Sequence, residues 1–330
     1  MKRFELTAQA VGDGSHLPAG ARRPGGLALA IGFFDGVHRG HADVLRQAVD
    51  AARASGQTPA VMTFDPHPRT VLGHGGHYGT VLTPLADKLG LMKDLGIEAA
   101  YVIRFDRAFA QVTAERFVRE LLLPLDVRTA TVGFDFSFGN RGAGNAETMR
   151  RDSENAIDVI VTDKVQASDR KVSSTRIREE LAAGRCDAAQ ALLGRPYAVK
   201  GLVVHGQARG RLLGFPTANL ALDQPYVIPK SGVYAVEADV IDESGAVEDS
   251  YGAVLNVGYR PTFEKSPDEL RLEAHLFDYS GDLYGRTIRV HFHAYLREER
   301  KFPSMDALVA QIGQDATAAR HLLSEAPGMR

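Results

Sequence analysis

Residues 31–41, IGFFDGVHRGH, constrain the fold of this chain more than any other stretch. The apolar residues 27–31 read as a short buried strand. After the run, Val44, Leu45, Ala48, Val49 and Ala52 fall on one stripe of an amphipathic helix. The turn between strand and helix holds Gly32, Gly36 and Gly40, with His38 and His41 spaced i, i+3. Such a turn brings backbone N–H groups and the positive end of a helix to one point, which suits a phosphate. Two imidazoles there can hydrogen-bond to a phosphate whose charge builds up during transfer. A plain turn with exposed histidines would account for a bare HxGH, but accounts less well for the longer GxFDGxHxGH.

A chain of 330 residues predicts two domains. With 44% hydrophobic and 24% charged residues, each half can build a core. The formal net charge of -2 argues against nucleic acid or an anionic membrane as main partner, while leaving room for a local basic pocket. Cys186 is the single cysteine, which excludes an intrachain disulfide and a multi-cysteine zinc site. No apolar run approaches the ~20 residues of a membrane span. Residues 1–26 lack the apolar core and cleavage site of a signal peptide. A cytoplasmic protein is expected, and a homo-oligomer stays open.

In the N-terminal half, strand-like runs at 59–64, 99–105, 129–133 and 157–161 alternate with helical patterns starting near Thr83 and Thr113. That alternation predicts a mostly parallel sheet with helices on both faces, and ligands beyond the carboxyl ends of its strands. Three clusters fall at such ends. TFDPHPR offers Asp65, His67 and Arg69 on a path fixed by two prolines. GFDFSFGNRGAGN alternates aromatics with Asp135 and Ser137 and places Arg141 among glycines. It either covers a planar ring and brings a cation to a phosphate, or packs its own phenylalanines as a hairpin. VSSTRIREEL puts Ser173, Ser174 and Thr175 at a helix start, where hydroxyls and free N–H groups suit a triphosphate. Arg176 and Arg178 in that first turn oppose the helix dipole, a conflict that a bound anion would remove.

A short helix over 187–193 is followed by Gly194, Arg195 and Pro196, and short strands begin at Tyr197. Runs at 198–204, 232–240, 251–257, 270–277 and 287–295 predict an antiparallel barrel or sandwich, with a final helix from about Ser304. The segment 206–220, GQARGRLLGFPTANL, carries Gly206, Arg211 and Gly214, which suit a phosphate, and Thr217 and Asn219, whose oxygens suit Mg²⁺. Arg260 in NVGYRPTF faces either a ligand or a plain loop. On the 270–277 strand, Glu273, His275 and Phe277 share one face, which a solvated surface would also explain.

Taken in order, GxFDGxHxGH, the PHP loop, GFDFxFG and SSTxIR resemble the HxGH nucleotidylyltransferase half of bacterial bifunctional riboflavin kinase/FAD synthetases. GRxLGFPTAN, NxGxRPTF and ExHLFDxxGDLYG resemble their riboflavin kinase half. The first 26 residues carry no match. The resemblance implies a Rossmann-like α/β domain over 1–186 and an all-β barrel domain with a C-terminal helix over 187–330. It implies that the second domain phosphorylates riboflavin to FMN and the first adenylylates FMN to FAD, both with ATP and Mg²⁺. His38 and His41 are then catalytic. Gly32, Phe33, Asp35, Gly36, Ser174, Thr175 and Arg178 hold ATP, and His67, Asp135 and Arg141 approach the flavin. In the kinase domain Glu273 is the general base. Gly206, Arg211, Gly214, Thr217 and Asn219 hold ATP, with Thr217 and Asn219 on the metal, and Arg260 approaches the flavin. A flavin-binding carrier or sensor with one inactive site is the alternative. A nucleotidylyltransferase for another cofactor would leave the PTAN and Glu273 clusters without a purpose.

Overall fold

The structure, a computed structural model, describes residues 1–73, 79–167, 170–206, 214–260 and 269–325, with the backbone alone at positions 260 and 269. It divides into two compact units, Met1–Ser174 and Thr175–Arg330.

The first unit is built on six parallel strands, β1 (Lys2–Leu6), β2 (Leu27–Ile31), β3 (Thr58–Asp65), β4 (Ala99–Arg104), β5 (Val127–Gly133) and β6 (Asp158–Thr162). Their order across the sheet is β1-β4-β3-β2-β5-β6. Both faces of the central strands are buried, so side chains alternate between two apolar cores rather than between core and water. Leu27, Leu29, Ala60, Met62, Ala99 and Tyr101 enter one core. Ala30, Val61, Ala100 and Val102 enter the other.

The second core is closed by α1 (Arg39–Ser55) and α3 (Leu85–Asp94), through Val44, Leu45, Ala48, Leu89 and Met92. The four-residue helix α2 (Pro68–Val71) follows β3. On the opposite face, Thr113 caps α4 (Ala114–Phe117), which widens into a π turn over Val118–Leu122. Helix α5 (Ala146–Asp152) completes that side with buried Met149. Strand β1 lies among the 26 residues that carry no motif. Two inward residues, Phe4 and Leu6, attach it in parallel to β4 at the sheet edge.

Beyond β6, the short hairpin β7 (Gln166–Ala167) and β8 (Arg170–Lys171) leads to α6 (Ser174–Ala182), inside which the unit division falls. Then come α7 (Cys186–Leu193), ended by the left-handed Gly194, and six antiparallel strands. These are β9 (Tyr197–Val204), β10 (Ala218–Leu222), β11 (Gly232–Ile241), β12 (Val247–Arg260), β13 (Glu269–Leu276) and β14 (Thr287–Arg297). They close as β10-β13-β12-β11-β14-β9, a barrel rather than a sandwich. Closure removes the sheet edges that a sandwich must protect.

Helix α8 (Met305–Glu325) lies on the outside, where Ala319 and Leu323 pack against Val233, Ala235, Val254 and Phe277. It is also clasped by charge. Arg297 Nε donates to both oxygens of buried Asp315 at 3.0 Å, and Nη2 donates to Oδ2 at 2.7 Å.

Candidate active sites

In the parallel sheet the chain runs outward from β2 to β3 and β4, then returns to place β5 on the other side of β2. The crevice at the carboxyl ends of β2 and β5 is therefore the switch point where such sheets bind ligands. The 32–41 turn leaves β2 at that end, and Phe134 and Asp135 follow β5 there.

The turn is tightly specified. Val37 N–H donates to Phe34 O at 3.1 Å, and Gly36 holds the φ of +86° that this reversal needs. Phe34 and Val37 are buried with φ of +56° and +41°, costly for a bulky and a β-branched residue. Asp35, 5% exposed, fixes the turn to the rest of the unit. Its Oδ1 accepts from the N–H groups of Leu82 and Thr83, and its carbonyl accepts from Ser174 Oγ at 2.8 Å. Ser174, the last residue of this unit, is thereby tied to the FDG turn from 139 residues away. Thr175, exposed, and Arg178, half-buried, follow on α6.

His38 is the N-cap of α1, and its Nδ1 accepts from His41 N–H at 3.2 Å. That bond places the His38 proton on Nε2. The two imidazoles stack with centroids 3.5 Å apart and an interplanar angle of 17°, and Phe34 meets His41 edge-on at 5.3 Å. His41 Nδ1 is buried without a hydrogen-bond partner. Burial first, and then the neighbouring His38, Lys88 and Lys171, holds this imidazole well below its ordinary value of 6.5, so the ring stays neutral. A stacked imidazole pair at a helix start, one ring held neutral and bearing an orphaned ring nitrogen, suits an anion that takes hydrogen bonds.

Phe33 and His67 also meet here, ring to ring at 4.1 Å, while His67 Nδ1 caps α2 through Arg69 N–H. Asp135 is exposed and ion-paired with Lys171, which also lies over the ring of exposed Phe134. The other two aromatics of the GFDFSFG segment turn inward. Phe138 is buried, and Phe136 stacks on it at 5.5 Å within the core. Only Phe134 stays at the surface to cover a ring, so that segment mostly packs its own phenylalanines. Arg141 stands exposed in a short turn, Asn140–Gly142. Among the described residues no hydrogen bond or ion pair joins it to the histidines.

In the barrel, register assembles the site. Glu273 on β13 is paired with Asn219 on β10 and with Asn256 on β12, so all three share one face. This face is not simply solvated, because α8 overhangs it. A cavity of about 400 Å³ lies between them, lined by Thr217, Glu273, Asn256, Glu299, Phe302 and Ile312 among others. That volume is within the usual range for a small-molecule site. A second cavity of about 410 Å³ is lined by Thr217, Ala218, Ala274, Leu276, Asp282 and Tyr284. Thr217 faces both.

Other contacts hold this arrangement. Asn256 Nδ2 donates to Glu299 Oε1 at 2.9 Å, and Ser231 Oγ donates to Oε2 at 3.1 Å. His275 Nδ1 lies 2.8 Å from Pro216 O, fixing the approach to β10. A Cβ on Gly206 would fall 2.2 Å from Asn219 Nδ2, so any other residue there would push that amide aside. Gly214 is exposed. Arg211 lies outside the described residues, as does the side chain of Arg260.

Sequence reasoning missed Lys88, Asn256, Glu299 and the Arg297–Asp315 clasp. Asn256 opens the NxGxRPTF motif without having been singled out, and Lys88 left a fainter signal, a cation on the apolar stripe of α3 between Leu85 and Leu89.

Comparison with known proteins bears on both units. The sequence model of the FAD synthetase family matches residues 21–176, and that of riboflavin kinase matches residues 193–323. A bifunctional riboflavin kinase/FMN adenylyltransferase of Bacillus subtilis is 41% identical over 292 residues, covering 88% of this chain and 90% of the relative. One from Escherichia coli is 38% identical over 297 residues, covering 89% and 92%. A crystal structure described as a macrolide-efflux protein from Streptococcus pneumoniae superposes with a TM-score of 0.84 at 31% identity, covering 97% of this chain and 99% of that one. Among the described residues here, no helix is long and apolar enough to cross a membrane. Both domains and the full-length relatives agree, and neither supports a carrier with one inactive site. The chain belongs to the bifunctional riboflavin kinase/FMN adenylyltransferase family, phosphorylating riboflavin to FMN and adenylylating FMN to FAD.

Proposed function

We propose that the two reactions use the two sites described above, each with its own ATP. In the kinase step Glu273 takes the proton from the 5′-hydroxyl of riboflavin as that oxygen attacks the γ-phosphorus of ATP. The bond from that phosphorus to the β-phosphate oxygen breaks and ADP leaves. An alcohol is a weak nucleophile, so a base contributes here. Thr217 and Asn219 sit two apart on an extended path and so project to one side. Their hydroxyl and amide oxygens are hard donors that fit Mg²⁺, which keeps several waters and binds phosphates alongside one or two protein oxygens. When bound, the ion would offset charge on the transferring phosphate. Gly206, Arg211 and Gly214 hold the same nucleotide, and Arg260 approaches the flavin.

In the adenylyl step an FMN phosphate oxygen attacks the α-phosphorus of ATP, and pyrophosphate leaves. The nucleophile is already an anion, so the site aligns it and offsets charge rather than removing a proton. His38 and His41 donate to the phosphates. Gly32, Phe33, Asp35 and Gly36 shape the turn that receives them, and Ser174, Thr175 and Arg178 hold the same triphosphate. His67, Asp135 and Arg141 are assigned to the flavin side.

The observation that carries this two-site reading is that Glu273 shares a cavity with Thr217, in a different compact unit from His38 and His41. We place the functional boundary at 186/187, between the two segments matched by family. We also place the protein in the cytoplasm, in keeping with its bacterial biosynthetic relatives.

Chromatography of flavin products over time tests the reading, with wild type, Glu273→Ala and His41→Ala side by side. Glu273→Ala should make no FMN yet convert supplied FMN to FAD. His41→Ala should make FMN and stop there. Loss of both reactions in a folded variant would refute separate sites.

A further inference from the structure

Lys88 is a lysine only 2% exposed, on the α3 helix that brings Leu89 and Met92 to the core of Ala30, Phe34, Val37 and Val102. A cation in such surroundings is costly unless specific partners meet it. Here the partners converge on one residue. Lys88 Nζ donates to Phe33 O at 2.8 Å and to Thr63 Oγ1 at 3.1 Å. Thr63 Oγ1 donates to the same carbonyl at 3.0 Å, and Nζ lies 4.2 Å from the centroid of the Phe33 ring. The ring of His67 also meets that ring, at 4.1 Å. Phe33 is where the chain leaves β2 to begin the strained turn that carries His38 and His41.

Packing alone does not call for an ammonium here, since methionine would fill the space. The charges acting on it are Asp35 from the turn and Asp65 from β3, both of which favour the protonated form. His41 from α1 is kept neutral partly by it.

We propose that Lys88 is a positioning residue for adenylyl transfer, holding the 32–41 turn through Phe33 and adding buried positive charge beneath the triphosphate. This rests on assigning ATP phosphates to that turn. Burial loosens the proton of Lys88, bringing its pKa down to about 8 against the opposing pull of Asp35 and Asp65. Above that pH the free enzyme loses the charge, and its attraction for ATP weakens.

The test measures FAD formation from supplied FMN between about pH 6.5 and about pH 10, for wild type, Lys88→Met, Lys88→Arg and His41→Ala. Riboflavin phosphorylation and thermal melting serve as controls on the same samples. Lys88→Met should lower kcat/KM for ATP ~100-fold while riboflavin phosphorylation holds. In wild type that parameter should fall as pH rises through about 8. Lys88→Arg should restore most of the activity and remove the alkaline fall, because a guanidinium keeps its proton throughout.

A Lys88→Met enzyme within about threefold of wild type overturns the proposal. So does an arginine variant that keeps the wild-type alkaline fall, and that profile decides alone if the methionine variant does not fold. If Lys88→Met is unaffected while His41→Ala is inactive, only the role of Lys88 fails. If both retain activity, the assignment of the turn fails with it.

Discussion

The two sites are made from opposite parts of their scaffolds. The proposed adenylyl site is a turn, in which backbone groups, a capping imidazole and three residues of positive φ are forced together where a parallel sheet changes direction. The proposed kinase site is a strand face, in which Asn219, Glu273 and Asn256 stand abreast because antiparallel register puts them there. The contrast follows the chemistry in the proposed roles. An anionic nucleophile needs only alignment and donors, which a turn at a helix start supplies. A hydroxyl needs a carboxylate held beside it, and a rigid strand places one accurately.

Substitutions at either site should therefore separate cleanly. The largest effect is expected at Glu273. Glu273→Gln should lower riboflavin phosphorylation by ~10²–10⁴ and leave adenylylation of supplied FMN intact, as read from initial rates. His41→Ala should cost the adenylyl step ~10²–10³ and leave the kinase rate unchanged.

Weaker and of a different kind is Asp315→Ala. It leaves Arg297 unpaired and should destabilise the barrel unit by about 2–3 kcal/mol in denaturant unfolding. Because both residues line the Glu273 cavity, the KM for riboflavin should rise while the KM for FMN in the first unit does not.

The smallest effect concerns acid. His41 in the folded chain binds its proton well below pH 6.5, so below that value the unfolded chain carries a proton that the folded one lacks. Stability should then fall as pH drops from 6.5, by no more than about 1.4 kcal/mol per unit. His41→Gln should flatten that part of the slope in melts across the range. An unchanged slope would mean that the imidazole is not held neutral.

Much of this was legible in the residues because burial on two faces and turn chemistry leave strong patterns. The strand at residues 27–31, the glycine turn and the α1 stripe were read almost to the residue. Five barrel strands were legible to within a few residues, but no strand was expected at β10, where the segment reads as a phosphate and metal cluster. Strand β1 was invisible, since two inward side chains in five residues make no period. The GFDFSFG aromatics were ambiguous in principle, because phenylalanine packs into a core and covers a ligand by the same physics. The sequence could not choose between the two uses. Lys88 was overlooked because a single lysine in an apolar stripe is ordinarily placed on the flank of a helix. Its meaning came only from the carbonyl it meets. Asn256 and Glu299 are 43 residues apart, and no local pattern reports a pairing of that kind.

Thr217 opens onto two hollows of the barrel at once. A side chain on that threshold has two neighbours to satisfy, so a change there perturbs whatever occupies either chamber. Kinetic scans at this position should blur the defects of both chambers into one phenotype.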